Sequence, residues 1–257
     1  MKKIFRRLQK LSDPVFYLKL PSLLLFRFNR FVHDKFLFYF FSKEFIFTSI
    51  WRTNYWGSGE SLSGPGSTLE HTKNIRLEIP KLLNELSASS IFDAPCGDMH
   101  WMSHVLSSMQ VQYIGGDIVG QIIDQNIEKY SDEHISFTKF DITRDIFPRA
   151  DVWLCRAVLY HLSNRDILKS LEGFCSSEIR YLLTTNCVTS MEHQNKDIAS
   201  GSWRSLNLLL PPFNFPPNVL WQTEDYIPPH PPATLVLWSR EQISAILPDI
   251  KKAILSE

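Results

Sequence analysis

The sequence has few cysteines and glycines, and its apolar runs are short. Its four cysteines show no C-x-x-C spacing, which argues against a disulfide framework or a zinc site. We therefore predict reduced thiols, a cytoplasmic location and no bound metal. The ten glycines form neither the G-x-G-x-x-G of dinucleotide folds nor the G-x-x-x-x-G-K-[ST] of nucleotide hydrolases. The most apolar segment, residues 36–51, is interrupted at 42–44 and is too short for the ~18 apolar residues of a spanning helix.

A net charge of zero hides an unequal distribution of charge along the chain. Residues 1–35 carry nine Lys/Arg and two Asp/Glu, whereas residues 36–257 carry 18 and 25. The acidic body argues against a nucleic-acid partner, because phosphates are bound by clustered cations. The basic, aromatic residues 1–50 predict a helical appendage. Either it makes peripheral contact with the inner face of a membrane through residues 1–45, or it packs on the body or on a second copy of the chain. The oligomeric state is left open.

From residue 91 onward, short apolar runs alternate with amphipathic stretches. This pattern predicts strands at 91–93, 111–117, 135–141, 151–156, 181–185 and 234–238. Helices are predicted at 69–87, 99–109, 119–130 and 163–174, and from 240 onward. Such alternation indicates a doubly wound parallel sheet in one domain over residues 51–257.

Residues 187–233 have no strong periodicity. Eight of the chain's 15 prolines lie between Pro211 and Pro232. Large apolar residues are too frequent here for free disorder, so this segment is predicted to form an ordered, proline-rich cap over one edge of the sheet.

Three predicted strands end in a carboxylate. Asp93, Asp117 and Asp141 follow one another at intervals of 24 residues, which places them on one edge of a parallel sheet. They either bind a ligand with several hydrogen-bond donors or cap the helices that follow. The turn after the first strand contains Gly97 alone, which disfavours a pyrophosphate site and favours a nucleoside without phosphate.

Five ordered segments carry a family resemblance. FDAPCGDMHWM, YIGGDIV, FDIT, ADVWLCRAVLYHLS and YLLTTN resemble the class I S-adenosylmethionine-dependent methyltransferases over about residues 60–245. SGPGS and WRSLNLLLPPF further resemble a bacterial subgroup acting on small molecules or glycans. The resemblance implies a seven-stranded, mostly parallel sheet of the Rossmann-like methyltransferase fold and S-adenosyl-L-methionine as cofactor.

The resemblance also implies a cofactor site. The turn from Asp93 to Gly97 would lie under the methionine part, Asp117 would hold the ribose hydroxyls, and Asp141 would meet the adenine. Met99 and Pro95 stand where the family commonly has glycine. The predicted cofactor-binding residues are Asp93, Pro95, Gly97, Asp117, Ile118, Asp141, Ile142 and Arg156.

Catalysis is predicted to be methyl transfer to a hydroxyl, or an amine, of a small molecule or glycan precursor. His161 is the candidate base for a hydroxyl proton, although it could instead pack or cap at the start of the next helix. Tyr160 and three residues of the cap, Trp203, Arg204 and Asn207, are predicted to bind the acceptor. The alternative is that Tyr160 belongs to the core and that the other three anchor the loop. The alternatives are a non-catalytic S-adenosylmethionine-binding module and a methyltransferase that modifies RNA or protein.

Overall fold

The computed structural model describes residues 41–256, and in this range seven strands form a single sheet. The strands are β1 Ser90–Asp93, β2 Gln112–Asp117, β3 Ile135–Lys139, β4 Val152–Cys155, β5 Tyr181–Cys187, β6 Trp221–Glu224 and β7 Ala233–Ser239. Their order across the sheet is β3-β2-β1-β4-β5-β7-β6. The first five in this order run parallel, while β7 is antiparallel to both β5 and β6. The predicted fold class is confirmed.

Helices cover both faces of the sheet. The helices of the described range are α1 Lys43–Arg52, α2 Lys73–Glu85, α3 Met102–Leu106, α4 Gly120–Tyr130, α5 Asn164–Cys175 and α6 Arg240–Leu255. Short 3-10 turns occupy Pro65–Ser67 and Leu159–His161. Serine hydroxyls cap the N-termini of two of these helices. Ser163 accepts from the Asp166 amide at the start of α5, and Ser239 forms a capping box with Gln242 at the start of α6.

Alternation along the central strand β4 divides the core into two layers. Trp153 packs with the apolar residues of α5 and α6 on one face, and Leu154 packs with those of α2 and α3 on the other. All four residues of β4 are buried, as expected for a strand covered on both faces.

The segment 187–233 contains a strand that its sequence does not predict. β6 lies at the sheet edge, and its side chains alternate between partial burial and exposure. A four-residue strand with this polarity carries too weak a period to be recognised. Upstream of β6, Leu208, Phe213 and Phe215 are buried in the main core, so this part of the segment is ordered by apolar packing.

The predicted appendage falls mostly outside the described residues. The expected membrane contact through residues 1–45 therefore lies largely in the part of the chain that the structure does not describe. Helix α1 crosses the predicted boundary at residue 50, buries Ile46 and Ile50, and brings Phe47 against the main core. Within residues 41–256, no helix has the length and apolar character needed to cross a membrane.

Candidate cofactor and acceptor cavities

A cavity opens at the carboxyl ends of β1, β2 and β4 and beside the segment after β3. This first cavity encloses about 990 Å³ of space, a figure that includes space open to solvent. The parallel register of these strands places their ends side by side. Every predicted cofactor-binding residue lines it, as does His161: Asp93, Pro95, Gly97, Asp117, Ile118, Asp141, Ile142 and Arg156.

Asp93 lies at the floor of the first cavity. It is 2% exposed, and its Oδ2 accepts a 2.7 Å hydrogen bond from the hydroxyl of Tyr113. Burial raises the pKa of Asp93 to about 7, although the Tyr113 hydrogen bond and the charge of Arg156 oppose the rise. The carboxyl is therefore poised to ionise fully when a cation binds beside it.

Asp117 joins the ends of two strands. Its Oδ2 accepts from the amide of Gly97 at 3.1 Å and its Oδ1 from the amide of Val119 at 2.9 Å. A carboxylate has about four lone-pair directions, so these two hydrogen bonds do not use up its capacity to accept. Burial raises the pKa of Asp117 to about 6, against the lowering effect of the Val119 and Gly97 amides.

The turn after β1 has room for no side chain at Gly97. Its φ is +56°, and a Cβ there would lie 2.3 Å from Oγ of Ser63. Met99, which stands where the family commonly has glycine, also has a left-handed φ of +60°. Its sulfur lies 3.0 Å from the Tyr113 hydroxyl. The turn therefore keeps a left-handed backbone at Met99, without the glycine.

Asp141 is bonded within its own turn. Its Oδ1 accepts from the amide and the hydroxyl of Thr143, at 2.9 and 2.7 Å. These bonds close a turn and cap no helix, because no helix lies between β3 and β4. Helix α4 has Val119 at its N-cap without a side-chain cap, so the capping alternative does not describe Asp117 either. Both carboxylates nevertheless line the first cavity, as does Ile142.

Arg156 follows β4 and stands between two cavities. Its guanidinium makes a two-pronged pair with Asp225, with Nε to Oδ2 at 2.9 Å and Nη2 to Oδ1 at 2.7 Å. Nη2 also donates to the carbonyl of Gly66 at 2.8 Å. Both side chains are at most 5% exposed, so the pair joins the end of β4 to the loop after β6.

His161 lines both cavities. Its Nδ1 lies 2.8 Å from the carbonyl of Ser202, which fixes the proton on Nδ1 and leaves Nε2 as the acceptor nitrogen. Burial lowers the pKa of His161 to about 4, although the Ser202 carbonyl opposes this. The ring is therefore neutral at physiological pH. The cap of α5 is Ser163, so His161 does not have the capping role considered as its alternative.

A second cavity adjoins the first and encloses about 850 Å³, again partly open. The two share walls at Trp56, Ser63, Ser67, Arg156, Ala157 and His161. Two of the four predicted acceptor residues lie here. Tyr160 packs its ring 4.6 Å from that of His161, and Trp203 lies 6.5 Å from Tyr160 and is 53% exposed.

Arg204 and Asn207 do not lie among the lining residues of either cavity. Arg204 donates to the carbonyls of Lys196 and Leu162, and Asn207 donates to Thr189 and exchanges hydrogen bonds with Asn195. Their polar atoms hold the loop together, so the geometry gives no support to the acceptor contacts predicted for them.

Sequence reasoning missed several walls of the two cavities. Helix α1 contributes Lys43, Phe47 and Trp51 to the first cavity, while Asp225 and His71 line the second. Residues 57–66, which contain four of the ten glycines, form a glycine-rich loop. Asp98 holds this loop against the β1 turn by accepting from Ser61, from the Leu62 amide and from Ser63. No sequence pattern marks Asp98, His71 or Asp225.

Comparisons with known proteins define the fold. No protein-family model and no curated protein sequence matches the chain. A Leishmania major S-adenosylmethionine-dependent methyltransferase superimposes with a TM-score of 0.55 and 12% identity, over 77% of this chain and 83% of that one. Magnesium protoporphyrin IX methyltransferase from Synechocystis, solved with bound S-adenosylhomocysteine, gives 0.52 and 11%, over 74% and 92%. The N-methyltransferase NodS from Bradyrhizobium japonicum gives 0.50 and 11%, over 66% and 96%. The chain therefore has the Rossmann-like fold of the S-adenosylmethionine-dependent methyltransferases.

Proposed function

We propose that the protein is an S-adenosylmethionine-dependent methyltransferase that acts on a hydroxyl group of a small molecule or glycan precursor. One observation carries the proposal. The carboxylates of Asp93, Asp117 and Asp141 line a single cavity at the strand ends, and that cavity meets a second one at His161. A cofactor cavity joined to an acceptor cavity at a candidate base is the arrangement that group transfer requires.

The residues of the first cavity fit the proposed cofactor. Asp117 keeps capacity to accept from ribose hydroxyls beyond its two amide hydrogen bonds, and Asp93 offers a buried carboxyl to a positively charged ligand. Ile118, Val119 and Phe140 supply apolar surface beside Asp141 for a purine ring. When bound, the cofactor would supply a methyl group on a positively charged sulfur.

His161 would take the proton of the acceptor hydroxyl. With Nδ1 donating to Ser202, Nε2 would be free to accept that proton as the acceptor oxygen bonds to the methyl carbon, whose bond to sulfur would break and leave its electron pair on sulfur. Because the His161 ring is buried and neutral, it places no positive charge beside the cationic cofactor until it accepts the proton. An amine acceptor would use the same nitrogen, since it also loses a proton.

Cofactor binding is tested first at Asp117. We expect Asp117→Ala to weaken S-adenosylmethionine binding by ~1–3 kcal/mol, or roughly 5- to 150-fold in Kd, because hydrogen bonds to a charged group are lost. The control is Asp124→Ala, the same change at an exposed position of α4. Isothermal titration calorimetry gives both affinities. If both variants bind S-adenosylmethionine with the same affinity, Asp117 is not part of the cofactor site.

A turnover assay distinguishes a methyltransferase from a non-catalytic S-adenosylmethionine-binding module. Release of S-adenosylhomocysteine should require an acceptor, and mass spectrometry should show a product heavier by one CH₂ group. Tight cofactor binding with no product from small molecules, glycan precursors, RNA or protein would favour the module instead.

A further inference from the structure

The guanidinium of Arg156 is held in place on three sides and keeps one nitrogen unused. Asp225 accepts from Nε and Nη2, the carbonyl of Gly66 also accepts from Nη2, and the ring of Trp101 lies 5.2 Å from the central carbon. Nη1 makes no hydrogen bond within the described residues. It is also not among the unpaired side-chain atoms that are sealed from solvent there, so it keeps accessible surface. Arg156 thus presents two unused N–H donors in the wall that both cavities share.

Tyr160 adds another unused donor to the second cavity. It lies in the 3-10 turn after β4 and lines this cavity but not the first. In residues 41–256 its hydroxyl has no hydrogen-bond partner, and it too is not sealed from solvent. Burial raises the pKa of Tyr160, although the charge of Arg156 opposes the rise, so the hydroxyl stays protonated and can donate.

The ion pair with Asp225 leaves part of the guanidinium available to an anion. Both oxygens of Asp225 lie on the edge formed by Nε and Nη2, and Nη1 points away from them. A charge-assisted hydrogen bond from Nη1 to an oxyanion is therefore open. Because Asp225 already balances the charge of Arg156, a ligand with one negative charge suits this position better than a doubly charged phosphate monoester.

The other ionisable side chains of the second cavity bring no further negative charge. Asp225 is the single carboxylate among the described residues that line it. Burial lowers the pKa of both His71 and His161, which keeps these rings neutral. His230 packs edge-on against His71 with ring centroids 5.3 Å apart, and an imidazole is either neutral or cationic. A carboxylate entering this cavity therefore meets one negative group, which Arg156 already engages.

The candidate base lies close to these donors. The rings of Tyr160 and His161 are 4.6 Å apart, a span that one small molecule can cover. Trp56, Tyr226 and the half-exposed Trp203 add flat apolar surface to the same cavity. Aromatic walls beside a few hydrogen-bonding groups suit a ring-shaped ligand with polar edges.

We propose that the second cavity binds a hydroxy acid whose carboxylate accepts from Nη1 of Arg156 and from the hydroxyl of Tyr160, while its own hydroxyl donates to Nε2 of His161. The inference rests on the proposed function and narrows its acceptor to molecules that carry one carboxylate. Arg156 and Tyr160 then orient the acceptor, and His161 takes the proton. The carboxylate and hydroxyl could belong to an aromatic hydroxy acid or to a uronic acid, and the first test separates these two sources.

The first test compares a carboxylate with an alcohol on the same ring. With the full chain saturated with S-adenosylhomocysteine, saturation-transfer NMR would measure the affinities of meta- and para-hydroxybenzoate and of the matching hydroxybenzyl alcohols. Methyl glucuronide and methyl galacturonide would be compared with methyl glucoside and methyl galactoside. We expect at least one acid to bind at least ~10-fold more tightly than its alcohol, and the pair that shows this names the source. If no acid shows this preference, the proposal is wrong.

The second test removes one donor. Tyr160→Phe should weaken binding of the preferred acid ~10-fold and change the affinity of its alcohol less than roughly threefold, because only the charged partner loses a strong hydrogen bond. Tyr130→Phe, at the end of α4 and outside the lining of both cavities, is the matched control. Unchanged acid affinity in Tyr160→Phe, or an equal loss for acid and alcohol, would refute the carboxylate contact.

The third test separates the acceptor from the cofactor at Nη1. Arg156→Lys keeps the positive charge but loses the planar fork, and it should weaken binding of the acid more than binding of S-adenosylhomocysteine. The reverse order would assign Nη1 to the cofactor and overturn the inference. Failure of the unmodified chain to bind S-adenosylhomocysteine would instead refute the proposed function itself.

Discussion

The two cavities share a wall but are built by different parts of the chain. The first draws its carboxylates from the ends of β1 and β2 and from the residue two positions after β3, each one strand–helix unit from the next. The second draws its polar groups from the turn before α2, the turn after β4 and the loop after β6. A sheet places strand ends by its hydrogen-bond register, whereas loops are placed by tertiary contacts. The first cavity can therefore be predicted from the sequence, whereas the second cannot.

The difference in construction accompanies a difference in charge. Buried carboxylates dominate the first cavity, and they suit a positively charged ligand. In the second, the charges of Arg156 and Asp225 form a closed pair. Each of the following predictions alters one cavity, or the wall between them, and asks whether the other responds.

The largest effect is expected at His161, in the shared wall. His161→Ala should lower kcat by ~10²–10⁴-fold because the hydroxyl proton loses its acceptor, with cofactor Kd changing less than roughly threefold. Single-turnover formation of S-adenosylhomocysteine measures the rate. His193→Ala is the control, since His193 also contacts a loop carbonyl but lines neither cavity. A parallel loss of rate and cofactor affinity would assign His161 to cofactor binding instead.

The next largest effect concerns stability. Asp225→Asn removes the charge that neutralises buried Arg156 and should lower the free energy of unfolding by ~3–5 kcal/mol. Glu178→Gln breaks the exposed Arg149–Glu178 pair and should cost at most ~1 kcal/mol. Urea denaturation measures both values. Similar costs in the two variants would show that the buried pair does not hold the second cavity together.

Asp98→Asn tests the loop that walls both cavities. Its carboxylate accepts from two hydroxyls and one amide of residues 61–63, and an amide group in its place would oppose one of those donors. We expect cofactor and acceptor affinities to fall together by roughly 3- to 30-fold. Asp132→Asn alters a comparable turn, in which the carboxylate accepts from His134 and Ile135, away from the cavities. A loss confined to one ligand would show that the loop serves that cavity alone.

The last prediction concerns the pH dependence of cofactor binding, which is a gradual change and not a single loss. The pKa values of Asp93 and Asp117, raised to about 7 and about 6, hold these carboxyls partly protonated in the free protein near neutral pH. A cationic ligand that prefers their ionised forms should bind more weakly as pH falls from 8 to 5.5, by at most ~10-fold per pH unit for each proton. Calorimetry across this range measures the slope. Asp93→Asn should remove the step near pH 7 and spare the one near pH 6, while a flat profile would contradict ligand contact with either carboxyl.

The sequence predicted the strand-end cavity because its signals are local. Asp93, Asp117 and Asp141 each follow an apolar run, and equal spacing places them at one edge of the sheet. Arg204 and Asn207 show the limit of such reasoning. Their residue types suit ligand binding, but only the fold shows that their polar atoms are engaged within the loop.

The sequence by itself determined the alternation of strands and helices, the edge of the sheet that carries the carboxylates, and the candidate cofactor. Hydrophobic periodicity and strand-end spacing encode the first two features over a few residues, and the cofactor is what the family resemblance of five ordered segments implies. Tertiary structure alone decided that α1 walls the first cavity, that Asp225 neutralises Arg156, and that His71 lines the second cavity. These contacts join residues far apart in the chain, and they form only when apolar packing brings the loops together.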